Sequence, residues 1–364
     1  MKIGEVISFL ESLAHPSLQE HYDNAGLITG DAGWDCKGII CALDAIEDVV
    51  KEAMQKKCNL VIAHHPIIFG GLKKINGKNY VERTIISAIK NDIAIYAIHT
   101  NLDNVIDGVS GKMAKMLGLK NVSVLSGKPG TLKKLFTFVP IDKAEQVRQA
   151  IFAAGGGHVG NYSECSFNTE GEGTFKAGEG AHPYVGEKGK RHFEKELKVE
   201  MILPSYLESK IVAAMKAAHP YEEVAYDVIE LSNMNPGVGS GVIGELPEGM
   251  EGKKFLTRLK EVFRLPVIRH TALSGLSIKK VAMCGGAGSF LISRALDAGA
   301  DAYVTADMKY HEFFDANNRM LIADIGHYES EQFTISLLQE ILVQKFPTFA
   351  VLKTEVETNP VWYF

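Results

Sequence analysis

The stretch that decides the fold is Asn59-Leu60-Val61-Ile62-Ala63-His64-His65-Pro66, an apolar run that ends in two histidines and a proline. Its apolar residues follow one another without polar alternation, which is typical of a strand buried on both faces. The segments on either side, Glu47 to Lys57 and Tyr80 to Asn91, are predicted as helices. A buried strand between two helices indicates a βαβ unit, and therefore an α/β fold with a covered sheet.

The same alternation continues towards both ends of the chain. We predict strands over Lys37 to Leu43, Ile93 to Ile98, Lys280 to Cys284, Ala302 to Thr305 and Met320 to Ile325, and helices over Gly108 to Leu117, Gly252 to Phe263, Phe290 to Ala298 and Ser330 to Gln344. At the N-terminus, the apolar residues from Ile3 to Leu13 have helical spacing. This spacing favours an amphipathic first helix over a signal peptide.

A middle segment has a different order of elements. Two strand–helix–strand units follow each other, from Leu132 to Thr169 and from Leu197 to Leu231, with an exposed hairpin or loop predicted between them. Such a pair predicts a ferredoxin-like α+β domain. We therefore predict a discontinuous outer α/β domain with covered sheets, residues 1–126 and 233–364, and an inserted ferredoxin-like domain, residues 127–232.

The composition excludes several classes of protein. Of the 364 residues, 46% are hydrophobic and 23% are charged, as in ordinary folded chains. The apolar runs are far shorter than the roughly 20 residues of a membrane span, so no membrane association is expected. The net charge of −5 disfavours nucleic acid as a partner, although a ring could still have a basic lumen. The five cysteines form no Cys-x-x-Cys pair, which favours a reducing cytoplasm over a disulfide scaffold or a thiolate zinc site.

Metal-capable side chains cluster where three of the predicted strands end. They are His64 and His65 after the strand from Asn59, Asp103 after the strand from Ile93, and His327 and Glu331 after the strand from Met320. In open α/β sheets, ligands bind beyond the carboxyl ends of the strands, so three such ends can converge on one crevice. Imidazole and carboxylate suit first-row divalent ions, which here means Zn, Fe, Mn or Co.

These five residues predict a centre that holds two divalent metal ions. Three imidazoles and two carboxylates are too few to close two separate sites, but they suffice if a carboxylate bridges the ions and water fills open positions. His327 and Glu331 are four residues apart at a helix start and therefore share one face. Two such ions can activate a water molecule and clamp the oxygens of a substrate, which is the chemistry of a hydrolase.

Other side chains near the strand ends are further candidates. His311 is a candidate general acid or base, with a position outside the centre as the alternative. His99 is the second acid–base candidate, or orients Asp103 or a neighbour. Asp44 ends an early strand and either faces the site or caps a helix. Three residues that follow another strand end could line the same crevice: Asp307, Lys309 and Tyr310.

Three glycine-rich segments need separate interpretations. Gly239 to Gly244 matches Gly-x-Gly-x-x-Gly but lacks a following helix, so we predict no dinucleotide there. Gly285 to Ser289 lies between a predicted strand and a predicted helix, where it holds a small anionic or nucleotide ligand or forms only a structural turn. Gly178 to Gly186, with an exposed His182, covers the site or is only a flexible hairpin.

Six longer motifs carry a family resemblance. They are Tyr22-Asp23-Asn24-Ala25-Gly26-Leu27, Ala63-His64-His65-Pro66, His99-Thr100-Asn101-Leu102-Asp103, Pro220-Tyr221-Glu222-Glu223-Val224-Ala225-Tyr226, the segment from Tyr303 to His311, and Gly326-His327-Tyr328-Glu329-Ser330-Glu331. With these motifs, essentially the whole chain resembles the Nif-three-like family, whose members are also called GTP cyclohydrolase I type 2 homologs. The resemblance implies a di-metal site at the five residues above and a toroidal homohexamer. It also implies the longer bacterial form, whose inserted domain is like the trimeric nitrogen-regulatory and cation-tolerance proteins.

Two functions from different classes agree with these residues. The first is a metal-dependent hydrolase that acts on a nucleotide-like or other small polar substrate, with a cyclohydrolase label given by the resemblance alone. The second is a non-catalytic regulatory or scaffold protein that responds to metal, which the regulatory-protein plan of the inserted domain favours. The sequence leaves open whether the protein is an enzyme.

Overall fold

The structure is a computed structural model that describes residues 1–273, 275 and 277–364. Within these residues the polypeptide divides into two units. The split unit comprises Met1–Gly127 and Gly237–Phe364, and the middle unit comprises Lys128–Pro236. Each unit has a core of its own and is described separately below.

The split unit contains two sheets and most of the helices. Its first part contains α1 (Ile3–Leu13), β1 (Gly26–Thr29), β2 (Ile39–Asp44), α2 (Glu47–Gln55), β3 (Leu60–His65), α3 (Tyr80–Lys90), β4 (Ala94–Ala97), α4 (Thr100–Asp103), α5 (Val109–Leu117) and β5 (Lys120–Gly127). Its second part contains β10 (Gly239–Glu251), α8 (Gly252–Phe263), β11 (Arg269–His270), β12 (Ser277–Ala287), α9 (Ile292–Asp297), β13 (Ala302–Ala306), β14 (Leu321–Asp324), α10 (His327–Glu331), α11 (Thr334–Lys345) and β15 (Val351–Lys353). The elements numbered in between belong to the middle unit and are given below.

The first sheet confirms the predicted α/β class. Its strand order is β1-β4-β3-β2-β15, in which β15, β2, β3 and β4 are parallel and β1 is antiparallel. The continuous apolar run of β3 is buried on both faces of this sheet. Leu60 and Ile62 pack in the cluster that contains α1 and α11, whereas Val61 and Ala63 pack in the cluster that contains α2 and α3. This two-sided burial is why the run has no polar alternation.

The second sheet has the order β11-β14-β13-β12-β10-β5, in which β12, β13 and β14 are parallel. The apolar residues of β12 divide between the core clusters of α5 with α8 and of α9, so this sheet is also covered on both faces. Its β5 and β10 pair in antiparallel register, with Gly127 opposite Gly239. The two chain ends that flank the middle unit are therefore adjacent, which is the geometry that tolerates an insertion.

In this part of the chain, one strand was not predicted and one predicted helix needs correction. Residues 239–251 form the long strand β10, which the sequence analysis did not identify because glycines interrupt its apolar residues. As predicted, no helix directly follows Gly239 to Gly244. The helix predicted over Ser330 to Gln344 is instead two helices, α10 and α11.

The middle unit contains β6 (Leu132–Pro140), α6 (Ala144–Ala154), β7 (Phe167–Lys176), β8 (Arg191–Pro204), α7 (Glu208–Ala218) and β9 (Tyr226–Glu230). Its sheet has the order β7-β8-β6-β9 and is antiparallel throughout. The strand predicted from Tyr162 starts five residues later, at Phe167. The long hairpin of β7 and β8 occupies the passage predicted as a hairpin or loop.

Membrane-spanning helices are absent from the described part of the chain, where no helix combines the length and the apolar character that crossing a bilayer requires.

Candidate metal centre

The candidate centre lies where strands of both sheets in the split unit reach their carboxyl ends. His64 and His65 end β3, and Asp103 ends α4, which directly follows β4 of the same sheet. His327 and Glu331 begin and end α10, which follows β14 of the other sheet. Glu331 Oε2 lies 2.8 Å from His65 Nε2, so the structure brings the predicted residues together although they come from separate sheets.

Glu331 stands between two groups of metal-capable atoms. Its Oε2 lies 2.8 Å from His65 Nε2 and 3.1 Å from His327 Nε2. Its Oε1 lies 3.8 Å from His64 Nε2, which is in turn 3.6 Å from Asp103 Oδ1. The ligand atoms of each of these two groups, with Glu331 included in both, lie within 4.8 Å of one another and could hold a metal ion. A third group that meets the same distance criterion consists of His64, His65 and His99 and does not include Glu331.

The imidazoles are fixed so that each Nε2 points towards the centre. His64 Nδ1 donates to the carbonyl of Ile98 at 2.8 Å. His65 Nδ1 donates to Asp44 at 2.8 Å, and His327 Nδ1 donates to Asp307 at 2.7 Å. Since Nδ1 carries the proton in each ring, the lone pair of the neutral imidazole lies on Nε2. A carboxylate or carbonyl behind a ring is the usual support of a metal-bound histidine.

Two ligand atoms in this arrangement lack a hydrogen-bond partner among the described residues. His64 Nε2 and Asp103 Oδ1 are buried and make no hydrogen bond to the described residues. A buried polar atom without a partner costs free energy, and a divalent cation between these atoms would satisfy both. Nitrogen and carboxylate oxygen are the donors that first-row divalent ions accept, so the residues present fit a metal.

The charges of the centre also favour a cation. Burial opposes ionisation of Glu331, but the three facing imidazoles outweigh it and hold the pKa of this carboxyl well below its usual range. Burial raises the pKa of Asp103, and the nearby charge of Glu331 raises it further. Burial disfavours the charged form of His65, yet the hydrogen bonds that its ring donates to the carboxylates of Asp44 and Glu331 raise its pKa to about 9. The paired carboxylates therefore stabilise positive charge at this place.

His99 adds a fourth imidazole next to the centre. Its Nδ1 donates to Asp23 at 2.8 Å, and its ring centroid lies 5.3 Å from that of His64. Asp23 also accepts the backbone N–H of Thr100. Burial opposes ionisation of Asp23, but the bonds from His99 and Thr100 lower its pKa to about 2. Among the described residues, His99 makes no hydrogen bond to Asp103, so its partner is Asp23 rather than the expected one.

The turn before α10 depends on glycine. Gly326 has φ +91°, and a Cβ at this position would stand 2.2 Å from Glu329 Oε2. Its N–H donates to Asp324 Oδ1 at the end of β14. This turn lets α10 begin at His327, and the four-residue spacing then places Glu331 next to the same ring.

The remaining candidates differ in their distance from the centre. Asp307 and Asp44 support His327 and His65 as described, and Asp44 is not a helix cap because Ile46 occupies that position of α2. His311 is exposed in a 3-10 turn, where its ring stacks on Phe314. The cavity at the centre is not lined by His311, Lys309 or Tyr310, within the described residues.

In the glycine-rich segment at the carboxyl end of β12, two backbone amides are already bonded and are therefore not free to bind an anion. The N–H of Gly285 donates to Ser110 Oγ at 3.3 Å, and that of Gly286 donates to Ser330 Oγ at 3.0 Å. Cys284, just before them, lines the cavity, and burial together with Asp103 and Glu331 raises the pKa of its thiol to about 12. Within the described residues, Cys284 belongs to none of the groups of side chains that could hold a metal ion.

Two contacts that support the site were not predicted from the sequence. Asp23 was noted only as part of a motif, and its contact with His99 spans 76 residues of chain. Thr358 near the C-terminus donates to Asp44 Oδ2 at 2.7 Å and so supports the carboxylate behind His65. No spacing pattern in the sequence identifies either contact, because both depend on tertiary packing.

The centre opens into a cavity of about 1340 Å³ in the split unit. Its walls include His65, His99, Asp103, His327 and Glu331, as well as four aromatic rings from Tyr22, Phe69, Tyr80 and Phe290. A cavity of this size accommodates a nucleoside-sized molecule with space for water.

Comparisons with known proteins agree with this architecture. Residues 1–360 match the family model Duf34/NIF3 (NGG1p interacting factor 3). A Halalkalibacterium halodurans protein named GTP cyclohydrolase 1 type 2 homolog is 40% identical over 370 residues, which cover 99% of each chain. A Bacillus subtilis protein of the same name is 36% identical, over 98% of this chain and 97% of that one. The crystal structure of a Bacillus cereus protein related to NIF3 superposes with a TM-score of 0.87 at 38% identity, over 100% of this chain and 99% of the other. This chain belongs to the Duf34/NIF3 family.

Proposed function

We propose that the split unit is a dinuclear, divalent-metal-dependent hydrolase domain for a small polar or nucleotide-like substrate. The observation that carries this proposal is the position of Glu331, which belongs to two of the three groups of ligand atoms. One group is completed by His65 and His327, and the other by the partnerless atoms of His64 and Asp103. A shared carboxylate is what two neighbouring cations require, and Zn, Fe, Mn and Co all accept these donors.

We assign the following roles to the residues of the site. His64, His65, Asp103, His327 and Glu331 would hold the ions. Bound divalent cations would supply Lewis-acid activation of water and of a substrate oxygen. His99 would transfer protons, because it lines the cavity and Asp23 fixes the tautomer of its ring. We retain His99 in place of His311, which is not among the described residues that line the cavity.

The cavity walls limit the class of substrate. Among the described residues, the walls carry seven carboxylates, Glu20, Asp44, Glu47, Asp48, Asp103, Glu331 and Glu357, but only one cationic side chain that is not a histidine, Lys51. Lys51 is already paired with Asp48 at 2.9 Å. An anionic group of the substrate would therefore bind at the cations rather than at the protein. The four aromatic rings of the wall favour a planar substrate with little negative charge of its own.

The hydrolase proposal is tested by turnover with defined metal content. Protein stripped with a chelator and reloaded with Mn, Fe, Co or Zn is incubated with a panel of nucleosides, nucleotides, cyclic amides and phosphate esters. We expect products by mass spectrometry only after reloading. Turnover by the stripped protein would contradict a metal-dependent hydrolase. Metal-dependent binding without turnover would favour the regulatory alternative, for which the separate cavity of the middle unit is the supporting observation.

Replacing His99 by glutamine separates proton transfer from metal binding. We expect the His99→Gln variant to keep its metal content and to lose about a hundredfold in kcat, since glutamine cannot exchange a proton near neutral pH. His270→Gln, at an exposed position of the same unit, is the matched control and should behave like the unmodified protein. A His99→Gln variant that instead loses metal would assign His99 to the ligands and contradict the proton-transfer role.

The other expectations are proposals of the same kind. We propose that the middle unit is an inserted ferredoxin-like domain, because its elements follow the order β-α-β-β-α-β and its strands the order β7-β8-β6-β9. A toroidal homohexamer, which the resemblance implies, would be tested by sedimentation equilibrium. The five free cysteines support the proposal that the protein acts in the cytoplasm.

A further inference from the structure

The middle unit has a cavity of its own, with a volume of about 680 Å³. It is lined by β7, by part of β8, by the segment between them, and by the residues from Tyr221 onwards that follow α7. The segment Gly178 to Gly186 contributes Gly178, Ala181, Pro183 and Tyr184 to the wall, and its His182 is exposed as predicted. Glu222 accepts the backbone N–H of His182 at 2.7 Å and so holds the segment against the cavity.

Three aromatic rings meet at one corner of this cavity. The ring centroid of Tyr221 lies 6.2 Å from that of Phe175 and 6.2 Å from that of Tyr184. The ring planes are tilted by 58° and 49°, so the rings form adjacent walls rather than a stack. His219 packs on Tyr221 at 5.1 Å and supports its position. Several ring faces around one space are the typical recognition element for a quaternary ammonium group.

A buried carboxylate stands at the same corner. Glu196 lines the cavity but is only 8% exposed, and its Oε1 accepts the hydroxyl of Tyr221 at 2.8 Å. Its other carboxylate oxygen, Oε2, lies beside Gly173. A Cβ at Gly173 would stand 2.2 Å from this Oε2, so the glycine leaves the space that the carboxylate occupies. A carboxylate that is largely removed from solvent is stabilised by a cation nearby.

The rest of the wall is also acidic. Four further carboxylates line it, Glu170, Glu172, Glu222 and Glu223, against two lysines, Lys176 and Lys198. Lys198 is occupied elsewhere, because it pairs with Glu200 at 3.2 Å and lies 4.2 Å from the centroid of the Phe136 ring. Within the described residues of the middle unit, no group of side chains is arranged to hold a metal ion. The charge and the aromatic rings together therefore favour an organic cation.

We propose that the middle unit binds an organic cation with an alkylated ammonium group, which would lie between Phe175, Tyr184 and Tyr221 and above the carboxylate of Glu196. The rings supply the face of their π systems, and Glu196 supplies the opposite charge. This site is independent of the metal centre, since it consists only of residues from the middle unit.

The test uses a pair of ligands that differ in charge alone. Isothermal titration calorimetry of the full-length protein compares choline with 3,3-dimethylbutan-1-ol, in which carbon replaces the ammonium nitrogen. We expect saturable binding of choline and at least about tenfold weaker binding of the neutral alcohol. Glu196→Gln and Tyr221→Leu should each weaken choline binding by about tenfold. Tyr162→Leu, at a tyrosine of the same unit that is 75% exposed and outside the cavity, should leave it unchanged.

The variant Tyr184→Leu tests whether weaker choline binding can occur without a loss of folding. Tyr184 is 49% exposed, so its removal leaves the core of the middle unit intact, whereas Glu196 and Tyr221 lie deeper. It should keep the melting temperature of the unmodified protein and still weaken choline binding. The proposal is overturned if choline does not bind, if the neutral alcohol binds equally well, or if Tyr184→Leu binds choline with unchanged affinity.

Discussion

Replacing Glu331 by glutamine is expected to remove both metal ions, whereas replacing Asp103 by asparagine is expected to remove only one. Glu331 belongs to both groups of ligand atoms, and its two oxygens face different imidazoles. Glutamine keeps the size of the side chain but removes the charge that both groups share. Asp103 belongs to one group, so its loss leaves His65, His327 and Glu331 in place. Metal content per chain, measured by plasma mass spectrometry after dialysis, distinguishes the two results.

The control for these variants is Glu340→Gln. Glu340 lies on α11 and pairs with Lys112 at the surface, where its carboxylate is 57% exposed. This variant removes one negative charge from the same unit without touching the centre, and it should keep the full metal content. If Glu331→Gln held as much metal as this control, Glu331 would not be shared between two ions. If Asp103→Asn lost both ions, the two groups would not be separable.

The local part of the architecture could be predicted from the sequence. A strand that is buried on both faces needs apolar residues on both. The apolar run that ends at His64 and His65 therefore predicts such a strand. The rule that ligands lie beyond the carboxyl ends of parallel strands then selects the side chains that follow such runs. Both arguments use only neighbouring residues, and for this reason they identified the residues that surround Glu331.

The non-local part could not be predicted. The pairing of β5 with β10 joins segments on either side of the middle unit, and no local pattern records it. The apolar residues of β10 are interrupted by Gly239 and Gly241, which have φ of +154° and +65°, so the segment resembles a turn motif rather than a strand. The position of His311 depends on a 3-10 turn that carries its ring to the surface. From sequence spacing alone, His311 and Asp307 both follow the same strand, and nothing indicates that only Asp307 reaches the centre.

Replacing Gly286 by alanine is expected to disable the metal centre without unfolding the protein. Gly286 has φ +61°, which only glycine adopts without strain. A Cβ there would stand 2.3 Å from Glu331 Oε1 and 3.3 Å from His327 Cε1, so two of the proposed ligands would have to move. Because metal ligands must be held within about 0.5 Å of their required positions, we expect at least a tenfold loss of metal affinity. Competition with a chelating dye measures this loss.

Gly299→Ala is the control that separates the free-energy cost of a strained backbone from the effect of displacing the metal ligands. Gly299 has φ +71°, and a Cβ at this position would meet no atom within 4 Å. Both variants therefore carry the same left-handed strain, about 1–2 kcal/mol, but only Gly286→Ala pushes against Glu331. We expect similar falls in melting temperature for the two and normal metal affinity in Gly299→Ala. Equal metal affinity in both variants would show that the close approach of Gly286 to Glu331 does not position the carboxylate, and the shared-ligand geometry would have to be abandoned.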